Sequence, residues 1–390
     1  MARRQFLKEL NRSTILNVIK SHGPIARADI ARQTQISPAA VTHQTAALIE
    51  DGLIFEKQEG DSRGGRRPIL LALNATGTYV VGVKLAETRA TLALTDLNAE
   101  VVSRDAIELS KRDPISVSDQ LAGAITHLLD CSHIDHRRML GVGVGMAGIV
   151  DSVNGICRMS PYNGWHDVPF AELLEDRLDY PVILGNDVNT LTLVEKLYGP
   201  GQHVNDLLVV TLGRGVGLGM VLNGKMYRGA RGSGGEFGHT TVDPQGVICQ
   251  CGKRGCLETY VADPWLLRRA AMNGLTVATI EDLLAYARAG DAVALHVYEA
   301  AGQVLGQGIA NLINLLNPGL IIVSGEGVRA GDFVFPAMRE AIAKHTFGQL
   351  GEDVVLRIEA VSDDTWARGA AGLVLNEVFE PQPRLLQLSS

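Results

Sequence analysis

The stretch GHTTVDPQGVICQCGKRGCLE, residues 238–258, sets His239, Cys249, Cys251 and Cys256 within eighteen residues of one another. The other two cysteines of the 390-residue chain, Cys131 and Cys157, stand alone. Four soft or borderline ligands form a closed tetrahedral set, which points to a structural zinc; a catalytic zinc keeps an open position for water. A redox cluster is the competing reading of grouped thiols. Glu258 follows the last cysteine by two residues, so a bound metal would pin its backbone. A carboxylate held in that way is placed to accept hydrogen bonds from sugar hydroxyls. Just upstream, Gly234-Gly-Glu-Phe-Gly-His239 brackets a second carboxylate, Glu236, and the imidazole with glycines.

Outward from this segment the texture is α/β. Tyr79–Val102 and Leu207–Tyr227 each read as strand, turn, strand, turn, as if each opened a lobe with a β-meander. That suggests a duplicated, two-lobed architecture. Helical patterns cover Pro114–Asp130, Pro169–Leu178, Pro264–Ala271 and Asp291–Asn317. The run Gly213-Arg-Gly-Val-Gly-Leu-Gly219 lacks the glycine spacing and following helix of a dinucleotide fingerprint. It sits in an expected hairpin, where a plain glycine-rich turn explains it equally well. Gly185-Asn-Asp-Val-Asn189 follows the apolar strand Val182–Leu184. An amide beside a carboxylate at the C-terminal end of a strand is where α/β proteins place ligands; an Asx turn capping the next helix is the alternative.

The N-terminus differs from the body. Residues 1–72 carry 11 Lys/Arg against 7 Asp/Glu, whereas the remainder carries 25 against 36, within a net charge of -7. A basic segment on an acidic body suggests that only the N-terminus meets a polyanion. From Arg12, the residues Ile15, Leu16, Val18 and Ile19 form an apolar helical stripe that Gly23-Pro24 ends. A short helix over Arg27–Gln33 and a turn at Thr34-Gln35-Ile36 follow. Ser37 then caps a third helix that opens on Pro38, buries Val41 and Leu48, and closes at Gly52. This is a helix-turn-helix, whose last helix enters the major groove of duplex DNA. Ser37, Ala39, Thr42, His43 and Ala46 lie on its outer side as candidate base and backbone contacts. Leu53–Glu59 and Ile69–Leu73 read as the strands of a wing. The loop between them carries Arg63, Arg66 and Arg67, which suit phosphates or a narrow minor groove. A helical cap on an enzyme with a solvated basic loop is the bland alternative.

No apolar run approaches the roughly 20 residues that span a bilayer. Met-Ala-Arg-Arg-Gln leads into a polar amphipathic stretch rather than a signal-peptide core. The cysteine pattern is not a disulfide framework. A cytoplasmic protein without membrane partners is expected.

Together, the Gly234–His239 and Cys249–Glu258 motifs resemble the signature of the ROK family, the repressors, open reading frames and sugar kinases. Gly185-Asn-Asp187 is similar to that family's sugar-binding segment. The resemblance runs from about residue 78 to residue 378. The N-terminal part with its Gly-Gly-Arg-Arg-Pro68 loop resembles the family's xylose-repressor-like branch. It implies an actin-like, hexokinase-type fold of two duplicated ribonuclease H-like lobes behind a winged helix-turn-helix. The expected domains are residues 1–73 for DNA, 74–198 for the first lobe and 199–390 for the second, with the C-terminal helix free to return to the first. The resemblance further implies that Asn186, Asp187, Glu236, His239 and Glu258 bind sugar hydroxyls in a cleft between the lobes, with Asp187 in the place of a kinase's general base. Family members often carry Pro-Asn-Leu before a tryptophan. Here Ser160-Pro-Tyr-Asn-Gly-Trp165 moves the asparagine by one, so either Asn163 reaches the sugar or Tyr162 stacks on it.

The departures define the expected function. Kinases of the family open their first hairpin with Asp-x-Gly-Gly-Thr-Lys, where this chain has Lys84-Leu-Ala-Glu-Thr-Arg89. Their second loop is Gly-Thr-Gly, where this chain has Gly213-Arg-Gly215. Losing glycine blocks backbone approach to phosphates, and Glu87 adds a repelling charge. The sequence therefore reads as a sugar-responsive repressor and not an enzyme. It would hold a structural Zn2+, a xylose- or glucose-like effector and a palindromic operator, as a homodimer or tetramer. An active sugar kinase with a DNA-binding appendage, and a DNA-binding protein without sugar response, are the alternatives.

Overall fold

The computed structural model describes residues 2–57, 68–230 and 232–379. Arg63, Arg66 and Arg67 lie outside the described residues. The chain divides into two compact units, residues 1–190 with 366–390, and residues 191–365. One division falls inside the helix Asp187–Tyr198 and the other near the start of the helix Asp363–Phe379.

The first unit begins with α1 (Ala2–His22), β1 (Ile25–Ala26), α2 (Arg27–Thr34) and α3 (Pro38–Glu50). The helix α1 starts well before the apolar stripe that marked it, because the residues ahead of Arg12, Phe6, Leu7 and Leu10 among them, continue the same helix. The hydroxyl of Ser37 accepts from the Ala40 N–H at 3.4 Å, Pro38 takes the first turn, and Gly52 follows at φ 73°. Gln35 ends α2 in the left-handed region at φ 58°, which makes the tight turn. Strands β2 (Ile54–Lys57) and β3 (Leu70–Leu73) pair antiparallel, and β1 adds to β3. Of the expected strand Leu53–Glu59, Ile54–Lys57 forms β2, and residues 58–59 lie outside the described residues. Ile15, Leu16, Ile30, Val41, Leu48 and Leu71 are fully buried and form the core of this winged helix. Each contributes on the order of 1.5–3 kcal/mol by leaving water.

The same unit then builds a five-stranded sheet from β4 (Tyr79–Leu85), β5 (Arg89–Thr95), β6 (Val101–Glu108) and β7 (Met139–Met146). A small antiparallel sheet of β8 (Ile149–Asp151), β9 (Ile156–Ser160) and β10 (Trp165–Val168) branches off before β11 (Val182–Asn186) completes the five. The order is β6-β5-β4-β7-β11, antiparallel across β6-β5-β4 and parallel across β4-β7-β11. The expected helix Pro169–Leu178 is shorter, Phe170–Glu175, and ends in a turn through Leu178.

The second unit repeats the plan with β12 (Leu207–Leu212), β13 (Val216–Leu222), β14 (Lys225–Tyr227), β15 (Leu320–Ser324) and β16 (Val355–Ile358). Their order is β14-β13-β12-β15-β16, with the same two antiparallel and two parallel pairings. The repeated order 3-2-1-4-5 is the duplication that the two meanders suggested. The long helix Ala292–Leu316 packs on this sheet through Val297, Tyr298, Leu305 and Ile309.

Small residues explain how the C-terminal helix Asp363–Phe379 lies on the first sheet. A Cβ on Gly82 or Gly143 would run into the carbonyl oxygens of Ala367 and Ala370. The far end of the helix meets the winged helix: Asn17 Nδ2 donates to the Phe379 carbonyl at 2.6 Å, and Lys20 Nζ lies 4.1 Å above the Phe379 ring.

Candidate metal centre and binding residues

In the second unit, Phe237 drives the local geometry of the Gly234–His239 segment. Its ring is buried beside Gly308, and the adjacent Gly238 sits so close to the Val216 carbonyl that a side chain there would collide with it. This inward anchor leaves Glu236 exposed and His239 half-buried. Downstream, two antiparallel bridges, Thr241 to Cys256 and Ile248 to Arg254, fold the cysteine segment back on itself. Gly252 and Gly255 take left-handed conformations, φ 87° and 63°, and Gly255 lies directly against the Asp243 carbonyl. The glycines of the Gly252-x-x-Gly255 motif are thus turn residues: the left-handed backbone disfavours a side chain at both, and at Gly255 the Asp243 carbonyl also leaves no room for one.

The fold brings His239, Cys249, Cys251 and Cys256 together, with all ligand atoms within 4.8 Å of one another. Cys249 Sγ is 3.6 Å from His239 Nδ1, and Cys251 Sγ is 3.6 Å from Cys256 Sγ. Two thiolates about 2.3 Å from one tetrahedral ion stand about 3.8 Å apart, so the spacing fits such an ion. Burial pushes the Cys256 thiol up to about 12 and also raises Cys249. Burial raises Cys251 too, but the Lys253 N–H and the neighbouring thiols outweigh it and lower that group. Buried thiols that resist ionisation alone suit a cation that displaces their protons. The donor set fits a soft divalent metal such as zinc.

Glu258 lies in the same unit, 4% exposed. Its Oε2 accepts from the Val216 N–H at 3.3 Å, and its Oε1 accepts from Gln250 Nε2 at 3.1 Å. The sequence reading did not assign Gln250. Its signal was its place between two candidate ligand cysteines, within side-chain reach of Glu258. Also unassigned was Glu326, in Ser324-Gly-Glu-Gly327 after β15. A Cβ built on Gly213 would stand 2.7 Å from Glu326 Oε2, so this carboxylate lies against the Gly213–Gly215 turn. A glycine-bracketed acid after an apolar strand is the same kind of signal as Gly185-Asn-Asp187.

In the first unit, Asn186 ends β11 and Asp187 starts the following helix. Asn186 Oδ1 accepts from the Asn189 N–H at 3.1 Å, a side-chain cap on the helix that starts at Asp187, and its Nδ2 donates to the Gly148 carbonyl at 3.1 Å. One amide proton and one lone pair remain for a ligand. Asp187 is half-buried. Asn163 is half-buried in the turn between β9 and β10, where Gly164 at φ 68° makes the reversal. The hairpin at Lys84–Arg89 is closed by an Ala86 N–H to Arg89 carbonyl bond of 3.0 Å. Glu87 is paired with Arg112 at 2.6 Å, and Lys84 Nζ lies 4.4 Å above the Trp366 ring.

On α3, Ser37, Ala39, Thr42, His43 and Ala46 are exposed, while Val41, Gln44, Thr45 and Leu48 are buried. Thr42 Oγ1 donates back to the Pro38 carbonyl at 2.9 Å, so its methyl and lone pairs remain for a groove. Arg27 ties the motif together from α2, donating to Thr45 Oγ1 at 3.0 Å and pairing with Glu56 at 2.8 Å.

This geometry defines a winged helix joined to a duplicated α/β body with a Cys/His tetrad. The ROK family model matches residues 80–377, and a model for winged helix-turn-helix DNA binding matches residues 10–54. The chain belongs to the ROK family. It is 29% identical to the putative xylose repressor of Caldicellulosiruptor sp. (strain Rt8B.4), over 97% of this chain and 98% of that one. It is 34% identical to the DNA-binding transcriptional dual regulator NagC of Escherichia coli (strain K12), over 86% and 85%. Among solved structures, a ROK family transcriptional regulator, homolog of the E. coli MLC protein, matches with a TM-score of 0.86 at 28% identity, over 98% of both chains. The ROK hexokinase from Thermus thermophilus matches at 0.67 and 30%, over 75% of this chain and 97% of that one.

Proposed function

We propose that the protein is a sugar-responsive transcriptional repressor of carbohydrate-utilisation genes, acting in the cytoplasm. A xylose- or glucose-like monosaccharide is its effector, recognised by Asn163, Asn186, Asp187, Glu236, His239 and Glu258. A palindromic operator is its DNA partner, bound by a homodimer or tetramer through Ser37, Ala39, Thr42, His43 and Ala46 of α3 and through Arg63, Arg66 and Arg67. The observation that carries the reading is one chain that joins a winged helix with an exposed α3 face to a ROK body with two altered phosphate loops. Curated relatives named as repressors, similar over nearly the whole length, support it. His239, Cys249, Cys251 and Cys256 hold a structural zinc whose role is to fix the wall that carries Glu236 and Glu258.

The reading assigns no phosphoryl transfer to the chain. Glu87 stands in the first hairpin, paired with Arg112 from the segment after β6, and the Glu326 carboxylate lies against the second loop, where a phosphate would meet like charge. An electrophoretic shift assay on promoter-proximal DNA with a panel of sugars tests the proposal. Release by one monosaccharide is expected, and a shift that no sugar alters would overturn it. The similarity to ROK kinases keeps one rival, an aldose kinase with a DNA-binding appendage. ATP-coupled turnover that disappears in Asp187→Asn would establish that rival.

A further inference from the structure

Gln250 carries the strongest inference beyond that reading, on which it rests. Its neighbours Cys249 and Cys251 are candidate metal ligands, so its backbone position is fixed by the tetrad. Its own side chain is exposed, yet it reaches a carboxylate that is 4% exposed. A carboxylate carries about four acceptor positions. Among the described hydrogen bonds, the Val216 N–H meets one on Oε2 from the strand side, and Gln250 Nε2 meets one on Oε1. A buried charge left without partners is costly, so a sugar-free protein needs this second donor or a water in its place.

We infer that Gln250 is an internal stand-in for a sugar hydroxyl: its amide holds Glu258 in the free protein and gives way when a hydroxylated ligand arrives. A ligand hydroxyl that reaches Oε1 competes with an amide tethered to the same wall. The tether sets a threshold, because the effector must replace a charge-assisted hydrogen bond and not merely bulk water. Gln250 is accordingly a residue that tunes effector concentration, while Glu258 makes the contact itself.

The test uses the full metal-loaded chain, with calorimetry against xylose and glucose and thermal melts with and without sugar. Gln250→Ala should bind the responsive sugar about tenfold more tightly than the unaltered chain, the scale of one charge-assisted hydrogen bond. Its melting temperature should fall in the sugar-free state and match the unaltered chain at saturating sugar. Gln250→Asn, whose amide is one methylene too short, should behave as Gln250→Ala and serves if the alanine variant folds poorly. Unchanged or weaker affinity, or an equal loss of stability in both states, would make Gln250 a mere support and overturn the inference. Glu258→Ala keeps the two ideas apart. If it binds sugar as well as the unaltered chain, or if no variant binds either sugar, the assignment of the sugar residues falls first.

Discussion

At the scale of single residues, the difference between Asp187 and the cysteine tetrad is one of chemistry. Asp187 is a half-buried carboxylate at a strand end, with no part in the winged helix. Asp187→Ala should therefore leave operator binding within twofold of the unaltered chain. It should weaken the effector by about 10–100-fold, the range for lost hydrogen bonds to a charged group. A shift assay with and without sugar measures both; release at the usual sugar concentration would move the site elsewhere. The tetrad responds instead to pH. With Cys256 held up to about 12 and Cys249 raised, both thiols are protonated throughout the neutral range in the metal-free protein. Binding a divalent ion must then release at least these two protons, so lowering pH weakens binding, by about a hundredfold per unit for two protons. Competition with a chelator at pH 6, 7 and 8 reads this slope. A flat profile would mean the thiols are not the ligands.

At the scale of elements, α3 shows what the sequence could and could not tell. Its start at Ser37-Pro38, its inward Val41 and Leu48 and its close at Gly52 are all local chemistry, and all three stand in the structure. Ser37→Ala removes a side-chain acceptor from an exposed cap at 3.4 Å, so a loss of about 1 kcal/mol is expected. Chemical denaturation of the full chain checks it, and a gain in stability would show that the cap is not made. The cysteine motif was legible for the same reason, since metal-ligand spacing is short-range. Glu326 was not legible, because its contact with Gly213 joins distant parts of the chain, whereas Gln250 stands only eight residues from Glu258 and its role depends on how the cysteine segment folds back on itself. The Asn186 amide lies between these cases. A side-chain cap that competes with a ligand role is present, yet it uses only one of the two oxygen lone pairs. The beginning of α1 was missed because its first turns are dominated by charged and polar residues, although Phe6, Leu7 and Leu10 stand at helical spacing among them.

At the scale of the whole molecule, charge and topology divide the work. The repeated 3-2-1-4-5 strand order gives each unit its own sheet and core, and the acidic balance of 25 against 36 charges belongs to the body. The basic segment of residues 1–72 is then the part that suits phosphates. Binding should follow counterion release: log affinity falls linearly with log salt, by about 0.9 for each phosphate neutralised on duplex DNA. Joint replacement Arg66→Ala and Arg67→Ala removes up to two such contacts per chain. If, as proposed, two chains sit on a two-fold operator, the slope should therefore shrink by up to about 3.6, four contacts at about 0.9 each. The sugar response should persist in this variant, since a coupling of roughly 1–3 kcal/mol between effector and DNA does not require those arginines. Titrations of operator DNA at 50, 100 and 200 mM salt, with and without sugar, separate the two effects. A slope equal to that of the unaltered chain would mean that the loop never touches the backbone and that α3 alone carries the interface. A lost sugar response with an intact slope would place the loop in the coupling and not in the grip.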